Sequence, residues 1–258
     1  MRPVRATDDP ATVGPVDLVL VAVKAWQVPE AARAMRPLLG PRTIILPLQN
    51  GVEAPDELSA VLGADRVLGG LCRILAYRTG PGAIRHAAIE PYLALGELDG
   101  SRSERTESFR RTLRRASGVK VEIPADIRAA MWGKFLFITP VSGIGALTRT
   151  PIGVFRAIPE TRRLLGEAMR EIVALAAASG VLLPGDPLAE TLAFTDAIPP
   201  DGTSSMQRDI IEGRPSELEA QVGAVVRLGT GAGVSVPVHR FMYAALLPLE
   251  RQSRKALG

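Results

Sequence analysis

Apolar positions follow two different patterns along the chain, and these patterns divide it into two parts. The first part has short runs rich in β-branched residues, and the run at 17–23 is almost entirely apolar after its opening Asp. Such a run predicts a strand that is buried on both faces of a parallel sheet. Stretches with Pro near the start and Gly near the end follow the strands and predict helices. This alternation is typical of a doubly wound α/β sheet.

The elements predicted for the first part follow each other closely, and turn residues separate them. We expect Gly40-Pro41 to stop the first helix, Gly80-Pro81-Gly82 to form a hairpin turn, and Gly118 to end the third helix. Ser101 begins a capping-box pattern for that helix. The predicted strands are 17–23, 43–48, 66–77, 83–86, 92–95 and 119–123, and the predicted helices are 29–39, 55–62 and a third that begins at 101–104.

After Pro124 the pattern becomes purely helical, with apolar residues at the spacing of one helix face. Ser216 and Glu219 form a second capping-box pattern ahead of one of these helices. The fold class is therefore an α/β domain over 1–123 followed by an all-α domain over 124–258. The helices predicted for the second part are 127–147, 160–179, 188–194, one that follows 216–219, and 238–256.

The glycine-rich segment at 229–233 resembles a phosphate-binding loop. Such a loop needs a preceding strand and a following helix, so that backbone amides point at the phosphate. Here a predicted helix precedes the glycines and Pro237 follows them. We therefore predict a helix–helix connection.

Composition excludes several functional classes. Of the 258 residues, 47% are hydrophobic and 22% are charged, which is ordinary for a soluble globular protein. The net charge of +4 comes from scattered arginines without aromatic interleaving, so we predict no nucleic-acid binding. The single cysteine, Cys72, is expected in the core, and two distant histidines predict no metal site. With no signal peptide or membrane-spanning run in the pattern, we expect a cytoplasmic protein.

Lys134 is a lone cation among large apolar residues, in the stretch Met131-Trp132-Gly133-Lys134-Phe135-Leu136-Phe137. A lysine that lines a cleft is costly unless a partner or substrate compensates its charge, so such lysines are often functional. The alternative is a surface helix whose lysine extends its ammonium group to solvent.

Several short motifs occur in one order along the chain. They are Lys24-Ala25-Trp26-Gln27, Gln49-Asn50-Gly51, Trp132-x-Lys134, and Ser204-Ser205-Met206 followed by Asp209, Gly213-Arg214 and Glu217. Together they resemble the ketopantoate reductase (2-dehydropantoate 2-reductase) family over essentially the whole chain. The resemblance implies a Rossmann-like dinucleotide-binding domain, incomplete here, and a helical substrate and catalytic domain, with the active site between them. It also implies NADPH-dependent reduction of ketopantoate to pantoate, a step of pantothenate biosynthesis.

The resemblance also assigns roles to particular residues. Lys134 matches the general acid, which donates a proton to the alkoxide that hydride transfer creates. Ser204 and Ser205 match a substrate-binding segment, with Gly202 and Thr203 beside them. Asn50 matches a residue that contacts both substrate and cofactor. The other implied cofactor contacts are Lys24, Glu217 and Ala76, the last read as a small buried residue.

The chain departs from the family in two ways. The family begins with a strand and a Gly-x-Gly-x-x-Gly turn, and no such unit precedes Asp17. Ile138, Ser142 and Ile152 stand where the family has Asn, which leaves Ser142 as the polar substrate-binding candidate on that face. Fewer amide groups indicate a more apolar pocket, suited to a different 2-oxo acid or a bulkier ketone.

Two main hypotheses follow. The first is a reductase with NADPH as cofactor and a small 2-oxo acid as substrate, with no nucleic-acid or membrane partner and with a homodimer as the expected assembly. The second is a truncated or degenerate, non-catalytic relative that acts as a binding protein through an exposed sheet edge. A dehydrogenase of the 6-phosphogluconate type is disfavoured because it leaves the segment from Ser204 to Glu217 without an explanation.

Overall fold

A computed structural model describes residues 5–86, 90–116 and 118–255. The chain forms two compact units. Met1–Gln49 and Glu53–Ile127 make up the first, and Asn50–Val52 and Arg128–Gly258 make up the second. The first unit ends at Ile127, four residues beyond the expected end of the first domain at 123. The short segment Asn50–Val52, which the sequence analysis placed in the first domain, belongs to the helical unit.

The first unit is an α/β structure, as predicted. β1 and β2 are parallel, β3 is antiparallel to β6, and β6 is parallel to β7, while β4 and β5 form a hairpin. The strands are β1 (Val16–Val21), β2 (Leu39–Pro47), β3 (Gly69–Arg73), β4 (Ala76–Gly80), β5 (Ala83–His86), β6 (Tyr92–Gly96) and β7 (Lys120–Glu122); the helices are α1 (Val28–Ala34), α2 (Ala54–Leu62) and α3 (Glu104–Leu113).

β2 is the strand around which this unit packs. Ile45 bridges Val67 in parallel, and the amide of Leu68 donates to the carbonyl of Ile45 at 3.0 Å, which brings the chain into β3 beside β2. Gly70 allows this close approach, because a Cβ there would collide with the carbonyl oxygen of Pro47. Apolar side chains on the two faces of β2 enter separate buried clusters, one with α1 and α2 and the other with β6 and β7.

The prediction that the first strand is buried on both faces is wrong. Among the described strands, β1 pairs with β2 alone, and Leu20 is 46% exposed. β-branched composition reports the tendency to form a strand, whereas burial depends on how many neighbours that strand has. Cys72 lies in β3, half-buried against the apolar cluster around β6.

Several predicted ends in this unit are also wrong. α1 ends at Ala34, and the residues expected to stop it, Gly40-Pro41, lie inside β2. The predicted strand 66–77 is two strands, β3 and β4. α3 is capped by Ser103, whose side chain accepts from the amide of Thr106, and it ends at Leu113 rather than at Gly118. Polar residues close together in sequence offer several alternative caps, so the pattern alone does not select one.

The second unit is helical throughout the part that the structure describes, as predicted. Its helices are α4 (Ile127–Thr148), α5 (Ile152–Ala157), α6 (Pro159–Ala178), α7 (Pro187–Ala197), α8 (Ser205–Ile211), a π-helical turn (Glu219–Gly223), α9 (Ala224–Ala232) and α10 (Pro237–Lys255). α5 and α8 were not predicted from the sequence. Ser204 and Gln207 form the capping box of α8, so a signal for that helix was present.

α4 is the core helix of this unit. It is long and apolar enough to cross a membrane by length and composition, but 67% of its most apolar window is buried inside the protein, as in the core helix of a soluble fold. Two glycines let neighbours approach it closely. A Cβ at Gly143 would lie 2.8 Å from the sulfur of Met242, and one at Gly145 would lie 2.6 Å from Oε1 of Gln207.

The glycine-rich segment belongs to α9 and its C-terminus. Gly233 adopts the left-handed conformation with φ of 68°, and its amide donates to the carbonyl of Gly229. Four of the five residues are therefore helical, and the connection to α10 begins only at Gly233. The second predicted capping box is wrong, because Ser216 Oγ accepts from the amide of Leu218, and a π-helical turn follows.

A buried carboxylate holds the start of α10. Glu171 of α6 accepts hydrogen bonds from the amides of Val238 at 2.7 Å and His239 at 3.1 Å. Its Oε2 also lies 2.6 Å from Nδ1 of His239, a side chain that is fully buried. Burial lowers the pKa of His239 and the carboxylate opposes this shift, so the imidazole is held in its neutral form.

Candidate functional site

An amide and a carboxylate from distant parts of the sequence meet in the helical unit. Nδ2 of Asn50 donates a hydrogen bond to Oε2 of Glu217 at 3.0 Å, across 167 positions of the chain. Glu217 is only 6% exposed and Asn50 is half-buried. A buried carboxylate needs hydrogen-bond donors, and Asn50 supplies one. Such a bond is strong, so it restrains both side chains.

The residues on either side of Asn50 are anchored. Gly51 has φ of +94°, and a Cβ there would lie 2.6 Å from the backbone oxygen of Ala220, so the turn passes directly against the π-helical segment. Val52 is buried in the apolar core of the helical unit. Within the first unit, Nε2 of Gln49 donates to the carbonyls at the end of β1, those of Val21 at 2.8 Å and Val23 at 3.1 Å.

Glu217 directly precedes an irregular turn of helix. Its backbone carbonyl accepts from the amide of Gln221 at 3.0 Å, and the π-helical turn begins two residues after it. Single π-helical turns occur frequently at functional sites. Glu219 in the turn accepts from Tyr243 Oη at 2.7 Å and from Arg227 Nη1 at 3.1 Å. Burial raises the pKa of Tyr243, and the Glu219 carboxylate raises it further, so the hydroxyl stays protonated and remains a donor.

Lys134 lies in α4 and is half-buried. Trp132 and Phe135 beside it are buried, and their rings meet edge to face with centroids 5.6 Å apart. Ile138 and Ser142 follow at four-residue intervals, so the three side chains share one face of α4, separated by about 6 Å of helix per step. Lys134 is therefore a half-buried cation on an otherwise apolar stretch of α4.

Ser142 lies deeper on that face. It is fully buried, and its hydroxyl has no hydrogen-bond partner among the described residues. Thr139 is in the same situation, as are both side-chain polar atoms of Gln221. Ile152, another of the positions where Asn was expected, is buried in the core of this unit.

The two serines at the start of α8 differ in their bonding. Ser204 is the N-cap, and its Oγ accepts from the amide of Gln207 at 3.1 Å while Gln207 Oε1 accepts from its amide at 3.4 Å. Ser205 is half-buried, and among the described residues its hydroxyl makes no hydrogen bond. Of the two, Ser205 has the hydroxyl available to a ligand.

Comparisons with known proteins identify the family of the chain. Residues 126–250 match the family described as Ketopantoate reductase PanE/ApbA C terminal, and residues 1–100 match the family described as Ketopantoate reductase PanE/ApbA. The 2-dehydropantoate 2-reductase of Halobacterium salinarum is 32% identical over 93% of this chain and 77% of that protein. The chain belongs to the ketopantoate reductase family.

Solved structures show the same fold. The PanE/ApbA family ketopantoate reductase from Ralstonia eutropha is 29% identical, with a TM-score of 0.86, over 97% of this chain and 81% of that one. D-mandelate dehydrogenase, solved with NADH and anilino(oxo)acetate, is similar in fold alone, with a TM-score of 0.82 at 19% identity over 93% of this chain and 78% of that one. The family is one of nicotinamide-dependent oxidoreductases, and the Rossmann-like and helical parts fit the fold class predicted from the sequence.

The two remaining predicted cofactor contacts lie in the first unit. Lys24 is half-buried, and its Nζ lies 5.7 Å from the centroid of the Trp26 ring. Ala76 begins β4 and is exposed, so the description of it as a buried residue is wrong. The reason is that β4 and β5 form a hairpin with no further strand beside it among those described, which leaves their side chains open.

Three features around Asn50 and Glu217 were not predicted from the sequence motifs. These are the bonds from Gln49 to the end of β1, the π-helical turn, and the buried polar groups of Gln221. The Gln at position 49 was visible as part of a motif, but its role depends on a strand 26 or more positions away. A π-helical turn has no local signature that separates it from an ordinary helix start.

Proposed function

We propose that the chain is an NADPH-dependent reductase of 2-oxo acids, acting on ketopantoate or a related substrate. The observation that carries the proposal is the buried Asn50–Glu217 pair, formed by two residues whose positions resemble the family's cofactor and substrate contacts. The relatives named 2-dehydropantoate 2-reductase support the same reaction class.

Lys134 is the proposed general acid. Reduction of a keto carbon leaves negative charge on its oxygen, and an ammonium group beside that oxygen both stabilises the charge and supplies the proton. Lys134 is itself half-buried, and a charge that is partly withdrawn from water acts more strongly on a nearby oxygen than a fully solvated one does.

The residues at the pair fit the ribose next to a nicotinamide ring. When bound, the cofactor supplies the hydride. Oδ1 of Asn50 receives no hydrogen bond among the described residues, so it offers an acceptor to a hydroxyl, and the carboxylate of Glu217 is a second acceptor group. Lys24 and Ala76 are retained as proposed cofactor contacts.

Ser205 is the proposed substrate contact at the start of α8, where its hydroxyl and the helix amides offer donors to a carboxylate. Ser204 supports it by capping the helix. Ser142 was predicted as a substrate contact, but it is fully buried. We therefore propose that it packs within the helical unit and does not touch the substrate. Ile138 leaves that face more apolar, which favours a 2-oxo acid with a bulkier or less polar tail than ketopantoate.

The test is oxidation of NADPH and of NADH, followed by absorbance, with a series of 2-oxo acids that includes ketopantoate. We expect Lys134→Ala to lower kcat by about 10²- to 10⁴-fold, the usual contribution of a positioned general acid. The matched control is Lys120→Ala, which removes an exposed lysine of β7 that pairs with Glu122 at 2.7 Å. That change should leave kcat unaltered.

Two results would contradict the proposal. A kcat of Lys134→Ala equal to that of the wild type would show that Lys134 is not the general acid. Absence of turnover with every 2-oxo acid and both nucleotides would favour the non-catalytic hypothesis. A higher kcat/KM with NADH than with NADPH would correct the cofactor alone. The homodimer and the cytoplasmic location stay predictions, and light scattering of the purified chain tests the first.

A further inference from the structure

A second buried carboxylate lies close to Glu217 in the fold. Glu250 of α10 is 2% exposed. Its oxygens accept from the amide of Ser216 at 3.0 Å and from Ser216 Oγ at 2.6 Å, and Arg254 forms an ion pair with it, with Nε 2.7 Å from Oε1. A carboxylate so deeply buried is tolerated only when it is paired and hydrogen-bonded, and here most of its donors belong to a single residue.

Every polar atom of Ser216 takes part in a hydrogen bond. Its amide and hydroxyl donate to Glu250, and its carbonyl accepts from Arg254 Nη2 at 3.2 Å. Its hydroxyl oxygen also accepts from the amide of Leu218 at 3.2 Å. The backbone on both sides of Glu217 is therefore tied, directly or through the serine hydroxyl, to one turn of α10.

Glu217 has little conformational freedom left. Ser216 and Leu218 are fixed on either side of it, and its own carbonyl accepts from the amide of Gln221. The backbone bonds fix the position from which its side chain starts, and the hydrogen bond from Nδ2 of Asn50 restrains the carboxylate itself. Side chains that take part in catalysis need such support, because a shift of about 1 Å can cost about 10²-fold in rate.

We propose that Glu250 is a positioning residue for the active site, acting through Ser216 to set the direction of the Glu217 carboxylate. This inference rests on the proposed function, because the consequence for turnover requires Glu217 to contact the cofactor. The effect on the geometry of Glu217 can be measured separately from turnover.

The chain provides a matched control on the same helix. Glu171 is also buried and also holds α10 by accepting from backbone amides, those of Val238 and His239. It acts at the first turn of α10, whereas Glu250 lies near the last. Glu171→Gln and Glu250→Gln are thus equal chemical changes at carboxylates that hold the two ends of one helix.

The first experiment compares kcat and KM of these two variants of the full chain, at a temperature where thermal unfolding shows both to be folded. We expect Glu250→Gln to lower kcat/KM by about 10- to 100-fold, up to the loss that a misplacement of about 1 Å causes. Glu171→Gln should stay within about 2-fold of the wild type. Glu250→Asp should recover part of the loss, because it restores the charge. Wild-type kcat/KM in Glu250→Gln, or equal losses in both variants, would overturn the proposal.

The second experiment does not depend on turnover. Hydrogen exchange of the Leu218 amide should be at least about 10-fold faster in Glu250→Gln than in the wild type, while in Glu171→Gln it should be unchanged. Ser216→Ala, which removes the acceptor of that amide, should give the same acceleration without burying a new polar group. If the chain proves inactive but the exchange rates behave this way, the proposed function fails and the positioning of Glu217 stands. Unchanged exchange in both Glu250→Gln and Ser216→Ala would overturn the positioning itself.

Discussion

Gly51→Ala tests whether the Asn50 turn really lies against the π-helical segment. Two costs can be separated. The backbone has φ of +94°, and an L-residue in left-handed conformation costs about 1–2 kcal/mol. The added methyl group would also lie 2.6 Å from the carbonyl oxygen of Ala220, and relieving such an overlap in a packed region costs about 1–3 kcal/mol more. The total expected loss of unfolding free energy is about 2–5 kcal/mol.

Gly233→Ala is the matched control. Gly233 belongs to the same unit and has φ of +68°, but nothing lies within 4 Å of the position that its Cβ would occupy. A conformational cost applies at both positions but the contact only at Gly51, so most of the difference between the variants should come from the contact, about 1–3 kcal/mol. Equilibrium unfolding in urea measures both, with Trp132 fluorescence reporting on the helical unit in a Trp26→Phe background.

The comparison has a clear refuting result. Equal losses in Gly51→Ala and Gly233→Ala would show that the turn does not press on Ala220, and the hydrogen bond from Asn50 to Glu217 would lose its structural support. If the reasoning is right, Gly51→Ala also lowers kcat/KM, because the displaced turn moves Asn50. Gly233→Ala should leave kcat/KM unchanged.

Two further predictions concern the helical unit. Because burial lowers the pKa of His239 below its ordinary value of 6.5, the unfolded chain takes up this proton more readily than the folded protein does. The stability that neutral His239 provides is therefore complete above about pH 6.5 and falls as the pH drops below it. Urea unfolding from about pH 5 to pH 8 should show this slope, and a slope of the same size in His239→Gln would assign it to another group. At the start of α8, Ser204→Ala should lose about 0.5–2 kcal/mol of unfolding free energy as a cap is removed. Ser205→Ala should keep its stability and raise KM for the 2-oxo acid, and the opposite pattern would exchange the roles of the two serines.

The parts of the fold that the sequence predicted are those decided by local interactions. The long helices α4, α6 and α10 carry their apolar face over many residues, so their positions were predicted to within a residue or two at most ends. The hairpin at Gly80-Pro81-Gly82 was predicted because its turn chemistry is local as well. The helix face and the turn conformation are set within a few residues in both cases.

The errors arise where distant parts of the chain decide the outcome. Burial of β1 depends on its neighbours in the sheet, and the segment at Gly40-Pro41 joins a strand because it pairs with β1 near Val16. The cap of α3 is Ser103 rather than Ser101, and the hydroxyl of Ser216 donates to Glu250 of a distant helix, so tertiary contacts decide both outcomes. The candidate site residues came from ordered motifs that resemble a family, since no local pattern brings Asn50 to Glu217.

Gln49 and Asn50 show why the division into two domains cannot be read from the sequence pattern. The side chain of Gln49 bonds to the end of β1 within the first unit, and the side chain of Asn50 bonds to Glu217 within the second. The side chains of two adjacent residues therefore bond within different units, although both residues belong to one strand-and-turn pattern in the sequence. Cutting the chain near residue 124 would remove Asn50 from Glu217 and Val52 from the helical core. The unit that carries Lys134, Ser205 and Glu217 thus requires three residues from the first half of the chain, so its chemistry must be measured on the whole chain.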